Sequence, residues 1–336
     1  MDSFPFDIKK NVIECSNFEY NSPPLLSVIV ITYNQENYIE QCIQSILDQK
    51  TNFPFEIILG DDASSDNTRN ICHALQKKNP EKIRLFLHHS ENKIKDKLGN
   101  PTGKFNLMYS ISKCEGKYIA ICEGDDYWKD PLKLQKQVDF LENNFEYVAV
   151  FTDFDKLNNG SGIVKSNFNQ ERFKIYNDFE IDLVNLFSKN LKFLRTLTSI
   201  YKANVLKSFN YFYLYTASDT QWIFHSLQYG KIYYMNFSSG VYRLNDESTS
   251  KSKSFEKNQL FLENYVQFLK IISNKFNLSS LDKRYIQKTI WMYKLRRESF
   301  NRDFLKLSIT VLQLLVNFHW SKNIFRVIKY AFKTNR

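Results

Sequence analysis

Two short stretches of the sequence concentrate side chains able to do chemistry. Gly60-Asp61-Asp62-Ala63-Ser64-Ser65-Asp66-Asn67-Thr68 and Glu123-Gly124-Asp125-Asp126-Tyr127-Trp128 each place two adjacent aspartates among small, hydroxyl or aromatic residues. Carboxylates this close repel one another unless a cation or hydrogen-bond donors lie between them. A hard divalent ion, Mg2+ or Mn2+, takes one or two protein carboxylates and completes its shell with water and phosphate oxygens. The pattern therefore points to a nucleoside diphosphate ligand. The first stretch also has turn and helix N-cap chemistry, with Ser65 or Asp66 as the cap. The second could be a loop ended by Pro131 in the first turn of a helix. Three acids within four positions repel too strongly for a mere loop, which favours a functional reading there.

Both stretches follow apolar runs that have the character of buried strands. Leu25–Ile31 is continuous and rich in β-branched residues, as expected of a strand covered on both faces, and helical spacing of apolar residues follows over 36–48. Strand then helix recurs at 55–59 and 66–78, at 83–87 and 104–113, and at 118–122 and 131–143. Such short connections force a mostly parallel sheet with right-handed crossovers and helices on both faces. Open sheets of this kind bind ligands beyond the carboxyl ends of their strands, where both acidic stretches fall. No Gly-x-Gly-x-x-Gly follows the first strand, where Thr32-Tyr33-Asn34-Gln35-Glu36-Asn37 stands instead, and no Gly-Lys-Ser/Thr occurs anywhere. The phosphates must then be held by metal rather than by a glycine cradle. Beyond a strand at 147–151 the sequence reads as polar loops over 158–170, a strand over Thr196–Tyr201 and a helix from Ser218 to Tyr229 closed by Gly230. Short strands at 231–235 and 240–244 follow, then helix from Ser254 to the end.

The segments Ser27–Asn34, Asp61-Asp62-x-Ser-x-Asp-x-Thr, and Gly116-Lys117-Tyr118 leading into Glu123-Gly124-Asp125-Asp126 resemble, in order and spacing, the inverting family-2 glycosyltransferases of GT-A fold, bacterial and non-processive. The resemblance runs over roughly residues 25–245. It implies that Thr32 and Tyr33 lie at the donor, with Tyr33 against the base, and that Asp62 accepts from a pyrimidine imide. It also implies that Asp126 holds the metal, with Asp125 beside it on the donor. Ser218-Asp219-Thr220 resembles the family's Glu-Asp segment, which makes Asp219 the catalytic base, and Val241–Asn245 resembles a Tyr-Arg-x-His segment that would set Arg243 at the diphosphate. Three positions depart from the pattern: Glu123 replaces Asp and would reach the metal or sugar through water, Ser218 replaces Glu, and Asn245 replaces His. No Gln-x-x-Arg-Trp signature of processive synthases is present. Trp128 and Trp222, each following a candidate acid, are candidates for stacking on a sugar, against an equal expectation that they belong to the core.

Function on this reading is metal-dependent, inverting transfer of one hexosyl or N-acetylhexosaminyl unit from a UDP-sugar to a hydroxyl of a glycan or lipid-linked acceptor, in cell-surface polysaccharide synthesis. Two other classes compete. A nucleotidyltransferase needs a glycine-rich phosphate loop near the first strand, which is missing. A non-enzymatic protein binding an anionic surface leaves the acids at 61–62 and 123–126 unexplained, and those acids repel nucleic acid.

The 336 residues, 43% hydrophobic and 24% charged, suffice for a large core and exclude a disordered chain. Five cysteines without a Cys-x-x-Cys pair, and five histidines without metal-ligand spacing, predict a reduced cytoplasmic protein without structural zinc. Net charge is +10, and residues 271–336 hold 14 Lys/Arg against 3 Asp/Glu, leaving 32 against 33 for the rest. Within that tail, Phe304–Val316 is too short an apolar run to span a bilayer. Lys322, Arg326, Lys329 and Lys333 then mark a basic amphipathic helix, which predicts peripheral attachment to an anionic membrane surface at the cytoplasmic face of the inner membrane. The expected organisation is a lead-in over 1–24, a catalytic domain over 25–250 with a nucleotide-binding half (25–151) and an acceptor half (152–250), and a basic helical extension over 251–336.

Overall fold

The computed structural model describes residues 8–16, 22–183, 186, 194–209, 218–244, 255–275 and 278–300, with positions 306, 310, 311 and 313. The chain divides into two compact units. One comprises Met1–Ile181, Lys192–Tyr211 and Asp219–Asp246, the other Asp182–Leu191, Phe212–Ser218 and Glu247–Arg336. The second unit thus takes in segments of what the sequence suggests is a continuous acceptor half.

In chain order the first unit contains β1 (Ile13–Glu14), β2 (Leu26–Thr32), α1 (Ile39–Leu47), β3 (Phe55–Asp61), α2 (Thr68–Lys78), β4 (Ile83–Leu87), α3 (Lys104–Lys113) and β5 (Tyr118–Glu123). Then come β6 (Tyr127–Trp128), α4 (Lys133–Asn143), β7 (Tyr147–Asn158), β8 (Ile163–Lys165), α5 (Phe168–Phe173), β9 (Phe179–Ile181), β10 (Ile200–Lys202) and β11 (Lys231–Leu244). One sheet runs in the order β1-β4-β3-β2-β5-β10-β7-β11-β6, with β8 on β7 and β9 on β11. Strands β4, β3, β2 and β5 are parallel, as are β7 and β11, and the three-residue β10 joins the two groups antiparallel to β5 and β7.

The continuous apolar character of β2 is explained by helices on both faces. Leu26, Val28 and Val30 pack with Ile39, Cys42, Ile43 and Ile46 of α1, Cys72 and Leu75 of α2, and Leu134, Val138 and Leu141 of α4. On the other face α3 lies so close to β3 that a Cβ at Gly60 would fall 1.9 Å from Asn106 Oδ1, whose amide instead donates to the Gly60 carbonyl at 2.7 Å.

Three expectations differ from the structure. The two short strands near 231–244 are one strand whose register against β7 shifts between Met235 and Gly240, so the period is broken while the pairing continues. The run 196–201 begins as a 3-10 turn, because Thr198 Oγ donates to the Arg195 carbonyl and Ser199 Oγ to that of Thr196. Residues 158–170 contain β8 and the start of α5.

In the second unit the helices Phe255–Lys275 and Ser280–Phe300 bury Leu262, Tyr265, Leu269 and Ile272 of one and Ile286, Ile290 and Leu295 of the other, with Tyr265 and Tyr293 ring centroids 4.5 Å apart. No helix among the described residues is long and apolar enough to cross a membrane. The expected basic helix over 322–333 lies outside the described residues.

Candidate active site

Register brings both acidic stretches to one place. Thr32 at the end of β2 is level with Asp61 of β3, and Ile31 with Glu123 of β5, so the two acid turns leave the sheet on either side of the β2 terminus. The Asp62 N–H donates to the Thr32 carbonyl at 2.9 Å and the Gly124 N–H to that of Ile31 at 3.0 Å. A Cβ at Gly124 would lie 2.4 Å from Gln35 Oε1 and 3.0 Å from Thr32 Cβ, so a larger residue here would force Gln35 and Thr32 to shift.

The loop after β2 is laced to the loop after β3. The Asn34 N–H donates to Ser64 Oγ (3.0 Å), Ser65 N–H to Asn34 Oδ1 (2.8 Å), Gln35 N–H to Thr68 Oγ (2.7 Å) and Asn67 N–H to Glu36 Oε2 (2.8 Å). Asn34 and Ala63 adopt left-handed backbone conformations, φ 52° and 58°. Such φ values in non-glycine residues persist only where surroundings impose them. Here the lacing does so, and Tyr33 is left 46% exposed.

Lys93 Nζ sits 3.6 Å above the Tyr33 ring and 3.9 Å from Asp62 Oδ2. Asp62 is buried, and burial lifts its carboxyl to about 7 despite the nearby Lys93. Asp61 is sealed in the interior and paired with Arg69 Nε at 2.7 Å.

In the second turn the Glu123 carboxylate accepts the Thr196 hydroxyl, Asp125 is part-exposed, and Asp126 is 1% exposed with Oδ1 accepting the Arg243 N–H at 2.8 Å. Burial, then the charges of Asp125 and Glu123, push the Asp126 carboxyl well above its ordinary range.

The structure places the remaining expected site residues as follows. Asp126, expected at the metal, is almost fully buried, and its neighbour Asp125 is part-exposed. Arg243, expected at the diphosphate, is only 6% exposed. Its guanidinium donates to the Asp125 carbonyl at 2.6 Å and to Gln41 Oε1, between the rings of Tyr38 and Tyr127, so it positions the acid turn. Thr32 is buried with its hydroxyl on Gln35. Neither tryptophan offers a face to a sugar. Trp128 donates to the Leu197 carbonyl at 2.8 Å beneath Lys133, and Trp222 is 1% exposed against Tyr201.

Asp219 lies on the helix Ser218–Ser226, and only its backbone is described; Asn245 lies outside the described residues. Lys93 and Thr196 escape sequence reasoning because each is a single residue in a stretch without a motif.

A divalent ion fits this turn in the sense that Asp125 is accessible and Glu123 adjoins it. Among the described residues, however, no group of three or more His, Cys, Asp or Glu side chains converges. An ion there would need phosphate oxygens and water to complete its shell.

The glycosyl transferase family 2 model matches residues 27–208, which covers the whole of this arrangement up to the 3-10 turn and β10. The chain belongs to glycosyl transferase family 2. Among curated relatives it is 37% identical over 126 residues to an uncharacterized protein of Mycobacterium tuberculosis (strain ATCC 25618 / H37Rv), covering 38% of this chain and 34% of the relative. It is 35% identical over 121 residues to the putative teichuronic acid biosynthesis glycosyltransferase TuaG of Bacillus subtilis, covering 36% and 43%. The match thus spans less than half the length of these relatives. Two solved structures share the fold. S. aureus TarS 1–349 in complex with UDP-GlcNAc gives a TM-score of 0.52 at 18% identity, covering 88% of this chain and 89% of that one. The mannosyltransferase PcManGT from Pyrobaculum calidifontis, in complex with GDP-Man and Mn2+, gives 0.57 at 13% identity, covering 94% and 81%.

Proposed function

We propose that this family-2 protein transfers one sugar, with inversion, from a nucleotide sugar to a hydroxyl of a glycan or lipid-linked acceptor in cell-surface polysaccharide synthesis. The observation that carries this reading is the meeting of the two acid turns at the end of β2, within the matched segment. Tyr33, exposed and capped by Lys93, offers a ring for the base, and Asp62 beside it accepts the imide N–H of uracil, which favours UDP, or dTDP with the same imide, over nucleotides that lack it. Asp125, supported by Glu123, is the residue to hold Mg2+ or Mn2+ together with the donor's phosphates. When bound, such an ion would offset the negative charge on the departing diphosphate. Asp126 and Arg243 keep that turn rigid, through the peptide N–H and the guanidinium of residue 243. Asp219 takes the proton from the acceptor hydroxyl as that oxygen attacks the anomeric carbon from the face opposite the diphosphate, and the proton leaves on the carboxyl.

The hexosyl or N-acetylhexosaminyl class follows from the same reading, as does single rather than processive transfer. The basic C-terminal tail supports a place at the cytoplasmic face of a membrane, where a lipid-carried glycan is presented. Thr32–Asn37 is laced to a neighbouring turn rather than formed as a glycine phosphate loop, which disfavours a nucleotidyltransferase.

Metal-dependent hydrolysis across a panel of UDP-, dTDP- and GDP-sugars, followed by the anomeric configuration of the product, tests the reading. Turnover of a UDP-sugar that chelator abolishes, with inverted product, is the expected result; retention of configuration, or no turnover of any sugar nucleotide, would sink it. Within the same assay Asp219→Asn should lower turnover roughly 10²–10⁴-fold, the usual contribution of a general base, and leave UDP affinity unchanged.

A further inference from the structure

A cavity is formed by residues of β7, β8, α5 and the segment before the 3-10 turn. It has a volume of about 330 Å3 and is lined by Lys156, Lys165, Phe168, Arg172, Phe173 and Arg195, with no acidic residue among the described residues of its wall. The four cations come from β7, β8, α5 and the segment before the 3-10 turn, so the fold assembles the site from pieces that carry no common motif. Lys165, Arg172 and Arg195 form no ion pair among the described residues. Arg195 is held by rings, 4.5 Å from the centroid of Tyr242 and 5.8 Å from that of Phe154, and its buried Nε makes no hydrogen bond among those residues.

The carboxylates on the adjoining strand are committed elsewhere. Asp153 accepts the N–H groups of Phe154, Asn169 and Gln170 at 2.8–3.0 Å, and Asp155 accepts from Asn167 and Ser238 and pairs with Lys129 at 2.7 Å. Cations collected around a concavity attract an anion, and guanidinium forks match phosphate oxygens two at a time. Phe168 and Phe173, with ring centroids 6.3 Å apart, add apolar wall for the carbon skeleton that bears the anion.

Position decides which substrate the anion belongs to. Arg195 precedes Thr196, whose hydroxyl bonds Glu123, and Tyr242 precedes Arg243, whose N–H bonds Asp126. The cavity therefore adjoins the acid turn from the β7–β11 side, whereas Tyr33 and Asp62 stand on its β2–β3 side.

We propose that this cavity binds a phosphate carried by the acceptor, so that the acceptor is a phosphorylated glycan or a glycan on a phosphate-bearing lipid. Assigning the phosphate to the acceptor rests on the sugar-transfer reading above; the anion site itself does not.

The test compares the wild type with the double variant Lys165→Gln/Arg172→Gln, in which both changed side chains are exposed and outside the donor site. Glucose 1-phosphate, with glucose as the uncharged control, is titrated by NMR. In a second arm, polyprenyl phosphate is presented in phosphatidylcholine vesicles. Expected are salt-sensitive binding of at least one phosphorylated probe, at least fivefold weaker in the double variant, no binding of glucose, and equal UDP affinity and melting temperature in both proteins. Preference for glucose 1-phosphate places the phosphate in the glycan, and preference for the lipid places it on the carrier; either supports the site. Equal affinity of both proteins for both phosphorylated probes, or glucose binding as well as its phosphate, would overturn it. UDP is measured separately, so loss of UDP binding by the wild type would count against the transferase reading without affecting the anion result.

Discussion

Asp61-Asp62 and Asp125-Asp126 are the same dipeptide at the ends of two strands that flank β2, yet the fold locks opposite members of each pair. In the first turn the leading aspartate, Asp61, is locked by a side-chain cation, Arg69, and its neighbour stands beside Lys93 and Tyr33. In the second the trailing aspartate, Asp126, is locked by a backbone N–H, and the leading one, Asp125, is part-exposed. In each pair one acid is held by a bond to a neighbouring element, Asp61 by Arg69 and Asp126 by the Arg243 N–H. The direction in which the chain leaves the strand decides which is which. A side-chain cation can be replaced by another, but a peptide N–H is fixed to its strand.

The largest expected effect is the split between Asp125 and Asp126. Asp125→Asn should lower turnover about 10²-fold or more, since electrostatic stabilisation of a leaving group is worth several kcal/mol, with the melting temperature unchanged. Asp126→Asn keeps an oxygen for the Arg243 N–H and should lower turnover far less. The reverse order of severity would return the metal to Asp126 and break the comparison.

Next comes Asp61→Ala, which leaves the Arg69 guanidinium without its buried partner and should cost about 1–3 kcal/mol of stability by chemical denaturation. A loss confined to UDP affinity, with stability intact, would make Asp61 a ligand residue instead.

The smallest effect is a pH dependence in the first turn. Because burial raises Asp62 from 3.8 to about 7, the folded state holds its proton more tightly than the unfolded chain does. That contribution to stability is complete below 3.8 and is lost as pH rises to about 7. Asp62→Asn should therefore gain stability relative to the wild type on going from pH 5 to pH 8. UDP binding should move the other way, because the carboxylate accepts the imide N–H more strongly than the protonated acid does. Affinity of the wild type should fall below pH 7, by at most about tenfold per unit. A UDP affinity that is flat from pH 5 to 8 would remove Asp62 from the base site.

What could be read from the sequence follows the same physics. Strands β2 to β5 and their helices are visible because buried parallel strands are continuous apolar runs with helical periods between them. The acids at 61–62 and 123–126 fall at their carboxyl ends for the same reason. Which acid faces outward was not visible, since it depends on the turn after β5, where Gly124 lets the chain pass beside Thr32. Nor was Arg243's inward turn, which depends on Gln41 and on rings from α1's approach and from β6. β11 looked like two strands because its register shift interrupts the alternation without ending the pairing. The basic cavity draws on residues 156 to 195, and no spacing along the chain predicts that they meet.

The bond from the Arg243 N–H to Asp126 spans 117 positions. During synthesis at about 5–20 residues per second, strands β2 to β5 are complete roughly 6–23 s before residue 243 has been added. The turn at 123–126 therefore gains its tie to β11 only after every strand of the β4-β3-β2-β5 group has been made.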